Sequence, residues 1–383
     1  MSQKIEYVFR RSVNLSFVSL TSLIILTYFI SLILGIALFF FTDEGYEVSK
    51  SILDGIPASF LIFFNFYIPL EINLGHFFLL LIIFYIVCFA LAWNPRVKFH
   101  QEVKNLIKKP IEIPLNNFLL IMPVISSMLL IIVVVVQSIQ EIQGIETGFI
   151  EFSDSFMALY ELAYSPILEE ISYRITPLGL VVLIGVFAKM KSEGRLPSLT
   201  TGILCFLFPD KAKEKAGLDT IQDKGIIKGI SFSEWVTLIL ICSLFGLNHY
   251  LAGGGWGIGK ITSAFVAGLA FGLIYLKYGF YAPILLHWFF NFYTYSYELA
   301  AEIYNGLFDH FLNMIIFLII IIGSYGWLIL VVRFFSEFSD RTIGSPSIKR
   351  RRYIFLPYLI ALIFPICSQI NKSLGFLRSF FIE

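Results

Sequence analysis

Apolar residues collect in long runs along the 383-residue chain, and polar residues are confined to short stretches between them. A run of about twenty apolar residues is what a helix needs to cross a hydrocarbon core of roughly 30 Å. Such runs extend from Leu15 to Phe41, His76 to Trp93, Asn117 to Gln137, Phe156 to about Ala188, Glu234 to Leu251, Gly259 to Lys277, Phe280 to Ala300, His310 to Val332 and Ile354 to Ile370. They predict an all-α fold, a polytopic transmembrane bundle of about eight to nine spanning helices. The first run is too long for a signal-peptide core and no small-residue cleavage site follows it, so it reads as an uncleaved span. The segment Pro57 to Leu70 is also apolar, but Asn65 and Pro69 interrupt it; it could lie at the interface, re-enter or span. Pro166 and Pro177 flank the middle of the fourth run and predict a kink, or a division into two helices.

The polar connections alternate in charge. Lys4, Arg10 and Arg11 precede the first run; Asp43, Glu44, Glu47 and Asp54 outweigh Lys50 after it. Arg96, Lys98, Lys104, Lys108 and Lys109 follow the second run, and Glu141, Glu146, Glu151 and Asp154 the third. Lys189, Lys191, Arg195, Lys211, Lys213, Lys215, Lys224 and Lys228 follow the fourth. Later, the Glu302/Asp309 loop is acidic, and Arg341 with Lys349 to Arg352 makes a basic one. Lys and Arg favour cytoplasmic loops. The expectation is a multi-pass integral membrane protein with a cytoplasmic N-terminus, and nine spans would leave the C-terminus outside. In the one large connection, Lys189 to Ser233, the apolar Leu199 to Phe208 could lie flat on the cytoplasmic face. Asp210 to Lys228 reads as a solvated linker, with a regulatory or docking segment as the alternative. The chain thus divides into N-terminal helices (1–150) of unassigned role, a core (151–305) that includes the connection at about 189–233, and C-terminal helices (306–383).

Composition excludes several classes. The chain is 57% hydrophobic and 14% charged, against about 25% charged in soluble domains. A net charge of +1, with no basic patch interleaved with aromatics, gives nucleic acid binding no support; the lipid bilayer is the implied partner. Cys88, Cys205, Cys242 and Cys367 are isolated in apolar surroundings without CxxC spacing, and read as small buried hydrophobes. Ala264, Gly268 and Gly272 recur at every fourth position, which predicts a close helix–helix approach. Gly253-Gly254-Gly255-Trp256-Gly257 predicts a tight turn.

A few ionisable residues stand out against this background. Ionisable side chains in a bilayer are costly, face other helices and mark function. The fourth run carries Glu169, Glu170 and Arg174; the fifth carries His249; the seventh carries His287 and Asn291. (Glu161, nearer the start of the fourth run, is placed at the interface.) Glu170 and Arg174 are four apart, so they share a helix face and can pair. Glu169 then points about 100° away, without a local cation. An apolar wall around it suits a general base. His287 and Asn291 share a face, as do Phe245 and His249. Together they suit acid–base hydrolysis. Glu169 would take a proton from water, His249 would hold that water, and His287 with Asn291 would stabilise an oxyanion. No Asp falls within a run, no His-Glu-x-x-His occurs, and no Gly-x-Ser-Gly occurs, which leaves aspartyl, zincin and rhomboid-type sites unsupported. The spans leave one conflict. They put His249 far from the cytoplasmic end of its helix and His287 near that of its own, so convergence needs a moved boundary or a deeper fifth helix.

In order along the chain, these groups resemble the motifs of the CAAX prenyl protease and bacteriocin-processing (CPBP, or Abi) family. Glu169, Glu170 and Arg174 match Glu-Glu-x-x-x-Arg; Phe245 and His249 match Phe-x-x-x-His; His287 and Asn291 match His-x-x-x-Asn. The resemblance covers about Phe156 to Ala300. It implies a helix bundle with a cavity in the membrane, and endopeptidase activity on a membrane-anchored peptide or protein. Glu169 is carried over as base, His249 as the water-orienting group, His287 and Asn291 as the oxyanion site, and Glu170 and Arg174 as support. Family members are commonly labelled metalloproteases. Glu169, His249 and His287 could hold zinc with water in the fourth place, and a metal-free mechanism uses the same residues. A non-enzymatic scaffold or immunity protein is the alternative. A proton-coupled carrier ranks below both, since no inverted repeat is visible.

Overall fold

The computed structural model describes residues 2–343, apart from 63, 94–96, 109–115, 151, 253 and 305. The expected span from Ile354 to Ile370, the stretch Lys349 to Arg352, and Cys367 lie outside the described residues, as do Arg96, Lys109, Glu151 and Gly253. The long apolar runs are helices: α1 (Ser2–Phe41), α3 (Leu74–Trp93), α5 (Phe118–Ile142), α11 (Phe232–Leu251), α12 (Lys260–Tyr278) and α15 (Leu307–Ile343), with the short α2 (Asp43–Ser49) and α4 (Phe99–Lys108) between. The fourth run is one 38-residue helical stretch, Ser155–Ser192. It is built from α6 (Ser155–Glu170), a π turn (π1, Ile171–Ile175) and α7 (Thr176–Ser192). Seven described helices are long and apolar enough to cross a membrane. Their outward faces carry exposed apolar side chains such as Ile33, Leu80, Ile83, Ile184, Leu240 and Phe317, as contact with lipid requires. The chain is an all-α polytopic membrane protein.

The seventh expected span is helical too, but it is not among those seven. It consists of α13 (Tyr281–Trp288), a second π turn (π2, Phe289–Tyr293) and α14 (Thr294–Tyr304). Protein surrounds it instead of lipid: Trp288, Phe289, Phe292, Tyr293 and Tyr297 are all buried. Its polar residues therefore need not be apolar enough for a bilayer. Tyr28 of α1 packs edge-on against Trp288 and Tyr293, and Thr27 Oγ1 hydrogen-bonds Tyr293 Oη at 2.7 Å. From α3, the Tyr85 hydroxyl donates to the Ala163 carbonyl of α6 at 2.7 Å. The N-terminal helices thus brace two of the three helical segments that carry acidic and imidazole motifs, α6 and the segment running from α13 to α14.

Two regions need more than the sequence reading provides. Of the placements left open for Pro57 to Leu70, a single span is not the one adopted; the segment folds as β-strands. β2 (Ile56–Phe60) pairs antiparallel with β3 (Phe64–Ile68), and the short β1 (Ile52–Leu53) and β4 (Ile72–Asn73) close the base. Alternating Phe, Asn and Tyr with few helix formers suits strands. The second region, Asp210 to Lys228, is only in part a solvated linker. α8 (Leu199–Leu207) and α9 (Pro209–Ala216) pack at one end of the bundle, whereas α10 (Ile221–Gly229) is buried at its two ends and exposed over 222–228. The reason is polar satisfaction under burial: Lys213 Nζ reaches Glu234 Oε2 at 2.8 Å and the Gly229 carbonyl at 2.5 Å, while Asp210 accepts the Ile221 and Gln222 amides. α8 packs against α7 and buries Cys205, as do Cys88 and Cys242 in their own helices. The glycine-rich turn behaves as expected. Trp256 bridges to Gly148, and Gly255 (φ +99°) lies so close to Phe149 that a Cβ would meet its carbonyl oxygen at 2.1 Å.

Candidate active site

The site forms where α6 passes into π1. Pro177 cannot donate a hydrogen bond, and its ring would crowd the carbonyl four residues back in an α-helix. The wider π turn removes that clash. The Thr176 hydroxyl bonds the Ile171 carbonyl at 2.9 Å, five residues back. The expected break between two helices is thus absorbed in one wide turn, a feature frequent at functional sites. Glu169 and Glu170 end α6 immediately before it, and Arg174 lies within it.

Glu170 and Arg174 pair as their spacing predicts. Nη1 to Oε1 is 3.0 Å, and both side chains are fully buried. The guanidinium lies 3.9 Å from the Phe245 ring centroid and 5.4 Å from that of Phe271. Gly268 makes room for it, because a Cβ there would sit 2.7 Å from Arg174 Nη2. The small-residue stripe therefore does two things: it brings α11 and α12 together, and it clears the space for the buried cation.

His287 joins both glutamates. Nδ1 lies 2.8 Å from Glu170 Oε1, and Nε2 lies 3.7 Å from Glu169 Oε2. The imidazole stacks on Phe271 at 5.0 Å and its side chain is 7% exposed, against 27% for Glu169. Because a carboxylate only accepts, the short contact puts a proton on Nδ1. Asn291 falls within π2 and donates from Nδ2 to Ser165 Oγ at 3.0 Å. Ser165 is one helical turn before Glu169, so His287 and Asn291 face Glu169 and Ser165 across the helix pair. Sequence reading missed Ser165; its only signal was the four-residue step to Glu169.

His249 stands one ring further out. Its Nδ1 is 2.8 Å from the Phe245 carbonyl. Phe245 lies 4.6 Å from the His249 ring and 6.2 Å from that of His287. No hydrogen bond joins His249 to Glu169 directly. Behind it, Trp256 lies 6.4 Å away and carries the Lys260 ammonium 3.5 Å above its ring. Neither was foreseen, because a glycine-rich turn and a helix start carry no motif. The depth conflict resolves through stagger. Phe245 lies thirteen residues after Phe232 and His287 six after Tyr281. At 1.5 Å per residue that is about 20 Å against about 9 Å, so α11 begins well beyond the start of α13.

The tip of the β2–β3 hairpin reaches the same place. The Leu61 amide donates to Thr176 Oγ1 at 3.1 Å, and Ile62 packs on Tyr173, Phe245 and Ala264. Both tip residues have left-handed backbone, with φ of 48° at Leu61 and 69° at Ile62. For a β-branched residue this is strained, and such strain collects at functional sites.

Zinc was the expected alternative, with Glu169, His249 and His287 as ligands. The side chains do not fit it as arranged: among the described residues no three His, Cys, Asp or Glu groups converge to hold a metal. His287 turns both nitrogens to the two glutamates, and His249 stands apart. We therefore derive no step through a metal.

Fold and site together define a class: a polytopic membrane protein with a carboxylate–imidazole cluster enclosed by its helices. Residues 151–293 match the family model described as Type II CAAX prenyl endopeptidase Rce1-like. The matched segment holds every motif residue from Glu169 to Asn291, and the family of that model is the CAAX protease family that those motifs resemble. Searches of curated proteins and of solved structures return no match.

Proposed function

We propose that the protein is an intramembrane endopeptidase that hydrolyses a peptide bond of a membrane-associated protein or peptide. The observation that carries this reading is the bridge from His287 to Glu170 at 2.8 Å and to Glu169 at 3.7 Å. Glu169 is the partly exposed carboxylate of the two, and it acts as the general base. It takes a proton from water as the water oxygen adds to the substrate carbonyl, and returns it to the leaving amine.

The histidine roles follow from their held nitrogens. The Phe245 carbonyl fixes the proton of His249 on Nδ1, so Nε2 is a lone pair that accepts a hydrogen bond from the attacking water. The Glu170 carboxylate does the same for His287, whose Nε2 donates to an oxyanion only as imidazolium. The Asn291 amide is the second oxyanion donor. Glu170 and Arg174 position His287 without touching substrate. The loop charges support a cytoplasmic N-terminus.

The test uses full-length protein in lipid nanodiscs with a prenylated peptide ending in a CAAX-type sequence, read by mass spectrometry. Glu169→Gln is expected to lower the rate by about 10²–10⁴-fold while leaving the melting temperature unchanged. Cleavage that survives the substitution would remove Glu169 from its role. A wild-type protein that cleaves neither this peptide nor other membrane-anchored peptides would favour the scaffold reading.

A further inference from the structure

The hairpin lies at an unusual depth. Tyr164 donates its hydroxyl to the Pro57 carbonyl, and Thr176 receives the Leu61 amide. Both anchors fall in the middle of the 38-residue stretch Ser155–Ser192, within the roughly twenty residues that cross the hydrocarbon. Glu169 sits between them. The hairpin therefore runs alongside the acidic pair at bilayer depth, with β2 packed on α6 and π1.

Its other strand is open. All five residues of β3 are exposed, and β3 is laddered only to β2. The register identifies which polar groups point outward. Pro57 has no N–H and its carbonyl is held by Tyr164, so the Pro57–Tyr67 pair turns its backbone groups away from the ladder. The Ser59–Asn65 pair, two residues on, does the same. The N–H and C=O of Asn65 and Tyr67 thus form the free edge, and no hydrogen bond satisfies them among the described residues. An open edge facing lipid is not tolerated at this depth. It persists only where protein covers it or a water-filled cavity runs beside it.

We propose that this edge is the substrate-binding strand. An extended segment of the membrane-anchored polypeptide pairs with Asn65 and Tyr67 as a third strand, and the hairpin tip, held at Thr176 and packed with Tyr173 and Phe245, directs that strand toward the acidic pair. The proposal rests on the endopeptidase reading and supplies what that reading lacks, a way to hold an extended backbone without regard to its side chains. Pairing of this kind engages alternate residues of the added strand and leaves those between facing away.

The experiment uses the wild-type full chain in lipid nanodiscs and a prenylated CAAX-type peptide, N-methylated at one backbone amide at a time. The expected result is a KM that rises at least tenfold at every second position upstream of the cleavage site and stays level at those between. Tyr67→Pro, which deletes one outward N–H of an edge strand, should raise KM with kcat unchanged. In a second arm, the Glu169→Gln protein is irradiated with the same peptide carrying a diazirine. Crosslinks should map to 64–68. Cleavage without period-two sensitivity and without those crosslinks overturns the edge and leaves the protease reading standing. Crosslinks at 64–68 with no cleavage by wild type keep the edge and overturn the protease reading. Neither cleavage nor crosslinks overturns both.

Discussion

Two buried ion pairs lie against different stretches of α11, and they are built differently. Lys213–Glu234, in the helical layer at one end, is saturated. The ammonium also donates to the Gly229 carbonyl, and Glu234 Oε2 also accepts the Ser231 amide in a capping box. Arg174–Glu170 is buried more deeply yet left open. Arg174 Nε and Nη2 and Glu170 Oε2 have no hydrogen-bond partner, and the bonded Glu170 oxygen is shared with His287. The first pair fastens α9 to α11. The second lies beside Glu169, the proposed base, and shares its bonded carboxylate oxygen with His287. Burial is common to the two pairs; what differs is how many of their donors and acceptors other protein groups satisfy.

The largest effects should come from breaking each pair on one side. Arg174→Met leaves Glu170 buried without its cation, and Lys213→Met leaves Glu234 likewise. Each should lower unfolding stability by about 3–5 kcal/mol, read by denaturation in detergent. The pairs then separate on repair. Lys213→Met with Glu234→Gln should recover both stability and activity per folded molecule. Arg174→Met with Glu170→Gln should recover stability alone, because His287 loses its carboxylate. Next in size, Asn291→Ala should reduce kcat by about 10²–10³-fold with unchanged melting; an unchanged kcat would move the oxyanion site elsewhere. Gly268→Ala should destabilise by about 1–3 kcal/mol, since its methyl meets Arg174 Nη2, whereas the same change at exposed Gly185, where no atom lies within 4 Å, should not. The smallest effect is expected from the exposed pair Lys189–Glu193. Hydrogen bonds from Lys189 and then Arg195 hold the Glu193 carboxyl below its usual range. Any contribution is therefore present at neutral pH and lost as pH falls through that lowered value. For an exposed pair, Glu193→Gln should leave the melting temperature unmoved.

The spans were legible because lipid leaves no choice of residue over twenty positions. The Glu170–Arg174 pair was legible because four-residue spacing fixes a helix face. The π turns were not: π1 is tied to Pro177 meeting a crowded carbonyl, π2 has no proline after it, and neither carries a periodic signal of its own. The hairpin was hidden for a related reason: an apolar run containing Asn65 and Pro69 suits a strand, an interfacial segment or a short helix, and only its docking on Tyr164 and Thr176 selects among them. The first part of 210–229 looked like a linker because Lys213 finds its partner, Glu234, outside that segment.

The central helix at 281–304 has a consequence for how the protein is made. Its composition falls short of what lipid would accept unaided, yet α1, α3, α5, α6 and α12, all synthesised earlier, cover most of it, and α15, synthesised later, packs on α14. It must enter the membrane along a surface the earlier helices have already assembled. The imidazole of His287 then never has to meet bare lipid, and the site is completed only when this late arrival seats against its acidic partners.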